Sequence, residues 1–382
     1  MTTTTTTTMQ PFEYNANPAR VIFGPGTLKQ LPAELARLRV SAPLLLSTPQ
    51  QLSQAQSLQS LILAASSSSE SDKPITPAGI FAEATMHTPT SVTERALDVV
   101  RQSRADAVVS VGGGSTIGLG KALAVRTGLP HVCVPTTYAG SEMTPILGET
   151  SEEGEGGKKA KTTRSDPKIL PGTVIYDVEL TMTLPAGLSA TSGVNAIAHA
   201  VEALYARNTN PIITLLALEG TKALATSLPT IIQNPSDTAA RTAAQYGAWL
   251  CGTCLGSVGM ALHHKLCHAL GGTLDLPHAE THTIVLPHAL AYNAPALPEE
   301  TLKRLADALP GSEGDPVRGL NVLLGRLGVK RALRDLGMEE SGIDVVADVA
   351  VRNPYWNPRP VEREGVREVI RRAWAGEEAR AV

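Results

Sequence analysis

The chain is expected to fold as an α/β N-terminal domain on a parallel sheet, followed by an all-α C-terminal domain. Three observations carry this expectation. Short apolar runs alternate with helical periodicity through the first half, the pattern of a parallel sheet covered on both faces. One run, Ala107-Val108-Val109-Ser110-Val111, leads directly into Gly112-Gly113-Gly114-Ser115-Thr116 and then into a helix. Beyond Thr183-Leu184-Pro185 the strand signals fade, and helical periodicity continues to the C-terminus. The expected division is a disordered tail over 1–11, a sheet-bearing domain over 12–185 and a helical domain over 186–382.

The elements follow in order. Residues from about Phe12 to Ile22 read as an entry strand or hairpin, and Phe23-Gly24-Pro25-Gly26 as a turn into a helix. Pro43 to Thr48 is a short buried strand that ends in small polar residues. Ser66 to Lys73 is a low-complexity patch, expected as a surface insertion. Gly79-Ile80-Phe81 is a further strand, and a helix is expected from about Ile117 to Arg126. His131 to Pro135 is a strand that runs into Thr136-Thr137-Tyr138-Ala139-Gly140-Ser141-Glu142. Ser151 to Lys161, rich in Gly, Glu and Lys, reads as an exposed loop or hairpin tip, and Val174 to Asp177 as a strand. Helices are expected over Ala196–Ala206, Ile212–Leu228, Thr238–Leu255 and Leu302–Leu309.

Composition narrows the function classes. The 382 residues carry a net charge of −3, which gives no electrostatic footprint for nucleic acid. No apolar run reaches the roughly 18 residues that a membrane span needs. The threonine-rich start lacks the basic and apolar regions of a secretory signal, so a cytoplasmic location is expected. The four cysteines include a lone Cys251-x-x-Cys254, with no second pair for a metal or redox site. All four are expected as buried structural thiols.

A strand, a glycine loop and a helix turn backbone N–H groups and a helix N-terminus toward phosphate, in a Rossmann-like layout. Gly112, Gly113, Gly114 and Ser115 are therefore the candidate diphosphate contacts, although the GxGxxG spacing is not met and a ligand-free turn would use the same residues. Thr48, Thr136, Thr137 and Ser141 follow strand ends, where an open α/β sheet holds its cofactor. The strand that ends at Ser47-Thr48-Pro49-Gln50 has no acidic residue there to repel a 2′-phosphate. NADPH is thus expected to be accepted as well as NADH.

The chemistry is expected from the helical half. His264 and His268 stand at i, i+4, one turn apart on one helical face, and Asn195 and His199 repeat that spacing. His278 follows in Leu276-Pro277-His278. Two such helices can enclose one polar pocket.

Gly112-Gly113-Gly114-Ser115, Ala139-Gly140-Ser141-Glu142, Asn195-x-x-x-His199 and His264-x-x-x-His268 with Pro277-His278 resemble the iron-containing (group III) alcohol dehydrogenase superfamily, in order, over about residues 20–375. The resemblance implies its dehydroquinate synthase-like fold, a nicotinamide cofactor and a homodimer. Longer strings, Tyr138 to Ile146, Asn195 to Tyr205 and Asn353 to Pro360, resemble a branch that reduces an oxo-dicarboxylic acid whose double bond is conjugated to its ketone. Metal-dependent members have Asp where this chain has Asn195, and bind Fe or Zn with it and with the histidines that match His199, His264 and His278. Asn is a neutral, poorer ligand, so a reaction without a metal is expected, although three imidazoles alone can hold zinc. Hydride addition to the alkene would place charge on the ketone oxygen as an enolate, which calls for a pre-placed donor and a proton source. His264 and His268 are expected at the reacting centre, with His199, His278 and Asn195 completing the pocket. Lys161 is a candidate for cofactor or substrate, and Tyr138, Arg164, Tyr355 and Arg359 are candidates for the dicarboxylate. Surface solvation or core packing is the alternative role for these residues. Two other functions fit the same motifs: a metal-dependent alcohol or polyol dehydrogenase, and a non-catalytic nucleotide-binding protein.

Overall fold

The structure is a computed structural model that describes residues 12–14, 20–67, 74–151 and 160–380, without the side chains of Ala160 and Lys161. The expectations for the tail at 1–11, for 68–73 and for 152–159 lie outside the described residues.

The first half holds a parallel sheet of β1 (Arg20–Phe23), β2 (Pro43–Leu46), β3 (Gly79–Phe81), β4 (Ala107–Gly112), β5 (His131–Pro135) and β8 (Thr173–Tyr176), in the order β1-β8-β5-β4-β2-β3. Successive side chains alternate between its faces. Leu45, Val109, Val111, Val132 and Ile175 join one core with Leu31 and Leu35 of α1 (Leu31–Arg37) and Leu58 of α2 (Leu52–Ser67). Leu44, Leu46 and Val108 point the other way, onto Val92, Leu97 and Val100 of α3 (Thr90–Ser103) and Leu119 and Leu123 of α4 (Gly114–Thr127). Both faces are covered, which is why these strands read as unbroken apolar runs. Among the described residues the entry segment holds the strand β1, parallel to β8, and residues 12–14 have no regular structure; the expectation for 15–19 lies outside the described residues. An antiparallel hairpin, β6 (Ile146–Ser151) and β7 (Ala160–Ser165), flanks the stretch expected as a hairpin tip.

From Ala186 onward the described residues are helical: α5 (Ala186–Leu204), α6 (Pro211–Gln233), α7 (Thr238–Ser257), α8 (Leu262–Leu274), α9 (His278–Asn293), α10 (Glu299–Asp307), α11 (Pro316–Leu327), α12 (Gly342–Arg352) and α13 (Arg363–Ala375). The expected helix ending at Leu228 runs on through Pro229 to Gln233. A proline inside a helix removes one N–H bond, but packing outweighs that loss here: Ile231, beyond the proline, is fully buried in the helical core. All four cysteines are free and buried. Burial pushes the Cys254 thiol up to about 12 and keeps it protonated.

Two of the contacts that join the halves stand out. Arg241 of α7 is fully buried and donates to the Leu184 and Pro235 carbonyls at 2.9 and 3.0 Å and to Ser189 Oγ at 2.7 Å. Arg241→Ala leaves those acceptors unpaired beside a cavity, and is expected to cost about 3 kcal/mol or more in chemical denaturation. Gly140, at φ 80°, lies against Gly252 of α7, and a Cβ on either residue would stand 3.0 Å from the Cα of the other.

Candidate active site

A cleft of about 600 Å³ opens between the C-terminal ends of the strands and helices α5 and α9. Thr48 after β2, Gly113, Gly114 and Ser115 after β4, and Thr137 and Ser141 after β5 line its sheet side. This is where open α/β sheets bind ligands.

The glycines are there for steric reasons. Gly112 has φ +152°, and a Cβ on it would meet Thr116 Oγ1 at 2.5 Å and Gln51 Oε1 at 2.6 Å. A Cβ on Gly113 would meet Thr137 at 2.9 Å, whereas one on Gly114 would face open space. Helix α4 starts at Gly114, three residues earlier than expected, and no side chain caps it. Its first N–H groups and its dipole are thus presented to the cleft, a fitting cradle for a diphosphate.

Thr136 plays a different part from the one expected. It is buried, and its Oγ1 accepts from Gln51 Nε2 at 2.6 Å, so it holds the loop from beneath. Lys121, which the sequence reading missed, is also buried. Its Nζ donates to the Ser141 carbonyl and, at 2.9 Å, to Thr144 Oγ1 and the Ile146 carbonyl. These bonds fix the loop that carries Ser141. Burial lowers the Lys121 ammonium to about 8.

Helix α5 carries Asn195, His199 and Glu202 at i, i+4 and i+7, on one face. Helix α8 brings His264 and His268, whose ring centroids lie 6.2 Å apart, and His199 lies 5.1 Å from His264. His278 opens α9 and sits 6.4 Å from His268. Asn195 and His278 reach the cleft. The imidazoles expected to meet from separate helices are therefore clustered beside the glycine loop. Two more rings belong to the cluster. His282 lies 4.1 Å from His278 and 5.0 Å from His264, and His263 lies 4.8 Å from His282. The signal for His282 was present, since it stands at i+4 from His278.

Glu202, also missed, holds this cluster from below. Its side chain is fully buried and accepts His264 Nδ1 at 2.7 Å, Ala261 N at 2.8 Å and His263 N at 2.6 Å. The carboxylate thus sits at the N-terminus of α8. Burial pushes this carboxyl upward, against the pull of His263 and the backbone N–H groups. The backbone N–H groups of Ala261 and His263, one on each oxygen, favour the ionised form against that burial. Burial, followed by the neighbouring histidines, holds His199, His264 and His282 well below the ordinary imidazole range, so these rings are neutral.

The remaining candidates divide. His268 is exposed, and its Nδ1 lies 3.1 Å from the Tyr355 hydroxyl, which brings Tyr355 to the cluster. Arg359 does not line the cleft. Its Nη1 donates to the Tyr292 carbonyl at 2.8 Å and its guanidinium stacks 4.3 Å from the Tyr292 ring. Tyr138 is fully buried in the helical core, where an aromatic ring recovers more free energy than at a wet cleft. Arg164 is exposed on β7 and is not among the residues that line the cleft, although its strand partner Leu147 is. Lys161 pairs with Thr150 in the same hairpin, and its side chain lies outside the described residues.

This fold and cleft are those of a nicotinamide-dependent dehydrogenase type, and comparison fixes the family. Residues 18–178 match the family model for iron-containing alcohol dehydrogenase, and 189–374 match the C-terminal model of the Fe-containing alcohol dehydrogenase family. The chain belongs to the iron-containing alcohol dehydrogenase family. It is 50% identical over 368 residues to the maleylacetate reductase of Rhizobium sp. (strain MTP-10005), covering 96% of this chain and 99% of that one. Maleylacetate reductase 1 of Rhodococcus opacus is 45% identical, over 96% and 97% of the two chains. The crystal structure of maleylacetate reductase from Agrobacterium tumefaciens superposes with a TM-score of 0.89 at 49% identity, covering 97% of this chain and 100% of that one.

The family name raises the question of a metal. His199 Nδ1, His264 Nε2 and Asn195 Oδ1 are buried without a hydrogen-bond partner among the described residues, so unfilled polar atoms are present. The groupings whose ligand atoms close to within 4.8 Å are different ones: Glu202–His263–His264 and His263–Cys267–His282. In the second, His263 Nε2 is already engaged with the His282 carbonyl, at 3.0 Å; in the first, His263 Nδ1 lies 3.4 Å from His264 Nδ1. The four positions Asn195, His199, His264 and His278 also contain no anionic ligand. This neutral set suits a hard, oxygen-seeking dication poorly, whereas its three imidazoles are of the type that holds zinc.

Proposed function

We infer that the chain reduces the conjugated double bond of maleylacetate, and of substituted maleylacetates, to give 3-oxoadipate, with NADH or NADPH as reductant. The observation that supports it most directly is the histidine cluster, which lies beside an uncapped glycine-loop helix in a chain half identical to maleylacetate reductases. The bound nicotinamide supplies the hydride. The N–H groups at the start of α4 bind the diphosphate, and the Lys121-anchored loop sets Ser141 beside it.

Hydride arrival at the alkene carbon sends negative charge to the conjugated ketone oxygen. A protonated ring nitrogen of the cluster hydrogen-bonds that oxygen, and His268, exposed and next to Tyr355, delivers a proton to the neighbouring enolate carbon and is reprotonated from solvent, which completes the addition of hydride and proton across the double bond. Conjugation spreads the charge over the enone, so the step has no need of a Lewis acid. We propose on this ground, and on the neutral donor set, that no metal is required. A homodimer in the cytoplasm is the proposed state.

The deciding assay follows NADH oxidation with freshly generated maleylacetate, before and after prolonged chelation. Turnover that survives chelation is expected. Activity lost to chelation and restored by Zn or Fe would instead point to metal chemistry. In the same assay NADPH is expected to be used within a thousandfold of NADH in kcat/KM, because the strand end at Ser47-Thr48 carries no carboxylate.

A further inference from the structure

We propose that Glu202 is a positioning residue that sets the tautomer of His264, so that the ring keeps a bare Nε2 on the side away from Glu202. The proposal rests on the reductase reading for its kinetic consequence only. Its basis is geometric. An ionised carboxylate accepts and cannot donate. Its 2.7 Å contact with His264 Nδ1 therefore requires the proton on Nδ1. His264 Nε2 is buried and without a hydrogen-bond partner among the described residues, and it lies on the side of the ring away from Glu202. The carboxylate is itself held in place by the backbone N–H groups of Ala261 and His263, so it cannot swing away. It links α5 to the first turn of α8 and fixes the ring between them.

This divides the labour among the histidines. His264 is an acceptor in the resting protein. The hydrogen bond to the developing enolate then comes from another ring, and the proton that completes the reduction reaches the substrate carbon from solvent. Glu202→Ala tests the assignment. Glu202 Oε2 accepts from both Ala261 N and His264 Nδ1, so an amide oxygen in its place would keep the tautomer, whereas Ala removes the acceptor and frees the ring to carry its proton on Nε2.

The experiment uses the full-length protein with ¹⁵N-labelled histidine, treated with chelator. The His264 signals are assigned by their loss in His264→Gln. The wild type is expected to show His264 with a protonated Nδ1 and an unprotonated Nε2. In Glu202→Ala the Nε2-protonated form should appear, while kcat falls roughly 10- to 100-fold, the range seen when the partner that orients an active-site imidazole is lost. KM for NADH should stay within a few-fold, which a collapse of the fold would not allow. A protonated Nε2 in the wild type, or a Glu202→Ala enzyme with wild-type kcat, overturns the proposal. If Glu202→Ala does not fold, the wild-type spectrum decides alone. If maleylacetate is not turned over at all, the reductase reading fails, but the nitrogen spectrum still tests the tautomer.

Discussion

His264→Ala is expected to lower kcat about a hundredfold or more while leaving the dissociation constant for NADH unchanged. The two halves of this result come from different parts of the molecule. The ring sits within 5.1 Å of His199 and His263 and 6.2 Å of His268, so its loss removes the central member of the cluster. Positioned acid–base groups contribute on the order of 10² to 10⁴ in rate. The diphosphate cradle is built from other elements, β4 and α4, and stays intact. Stopped-flow measurement of hydride transfer, with NADH binding followed by fluorescence, separates the two effects. A variant with full turnover would remove His264 from the reacting centre.

Gly114→Val is expected to raise KM for NADH by roughly tenfold or more, each tenfold being about 1.4 kcal/mol, with no loss of thermal stability. The reasoning depends on which glycine is changed. At Gly112 or Gly113 a Cβ collides with Gln51, Thr116 or Thr137, so a variant there would confuse folding with binding. At Gly114 nothing of the protein stands within 4 Å of an added Cβ, and the residue lines the cleft. The new side chain then occupies only the space that the diphosphate needs. Unchanged cofactor affinity in Gly114→Val would place the phosphates elsewhere.

The sheet-bearing half was legible because its signals are local. β4 and its glycine turn are contiguous in the chain, and both sheet faces are apolar, so the strands could be read without knowing their neighbours. His264 and His268 were legible for the same reason, since helical spacing places them together whatever packs against them. Glu202 and His282 also stood at readable spacings, but their meaning depends on how α5, α8 and α9 meet, and no local pattern encodes that meeting. Arg359 and Tyr138 show the converse. Each lies in a string typical of the family, yet membership in a string does not say which way a side chain turns, and both turn away from the cleft. The helix through Pro229 was cut short for a related reason, because the burial that offsets the missing bond is a tertiary term.

The seam between Gly140 and Gly252 has a mechanical consequence. Backbone rests on backbone there, with no flexible side chain to absorb a change of spacing. Sliding one half over the other would drive main-chain atoms into each other. The seam also lies beside the His199 ring, 3.5 Å from where a Gly140 Cβ would stand. A side chain added at either glycine would therefore wedge the halves apart next to the imidazoles, so a change made far from the cofactor would be felt by the reactive rings.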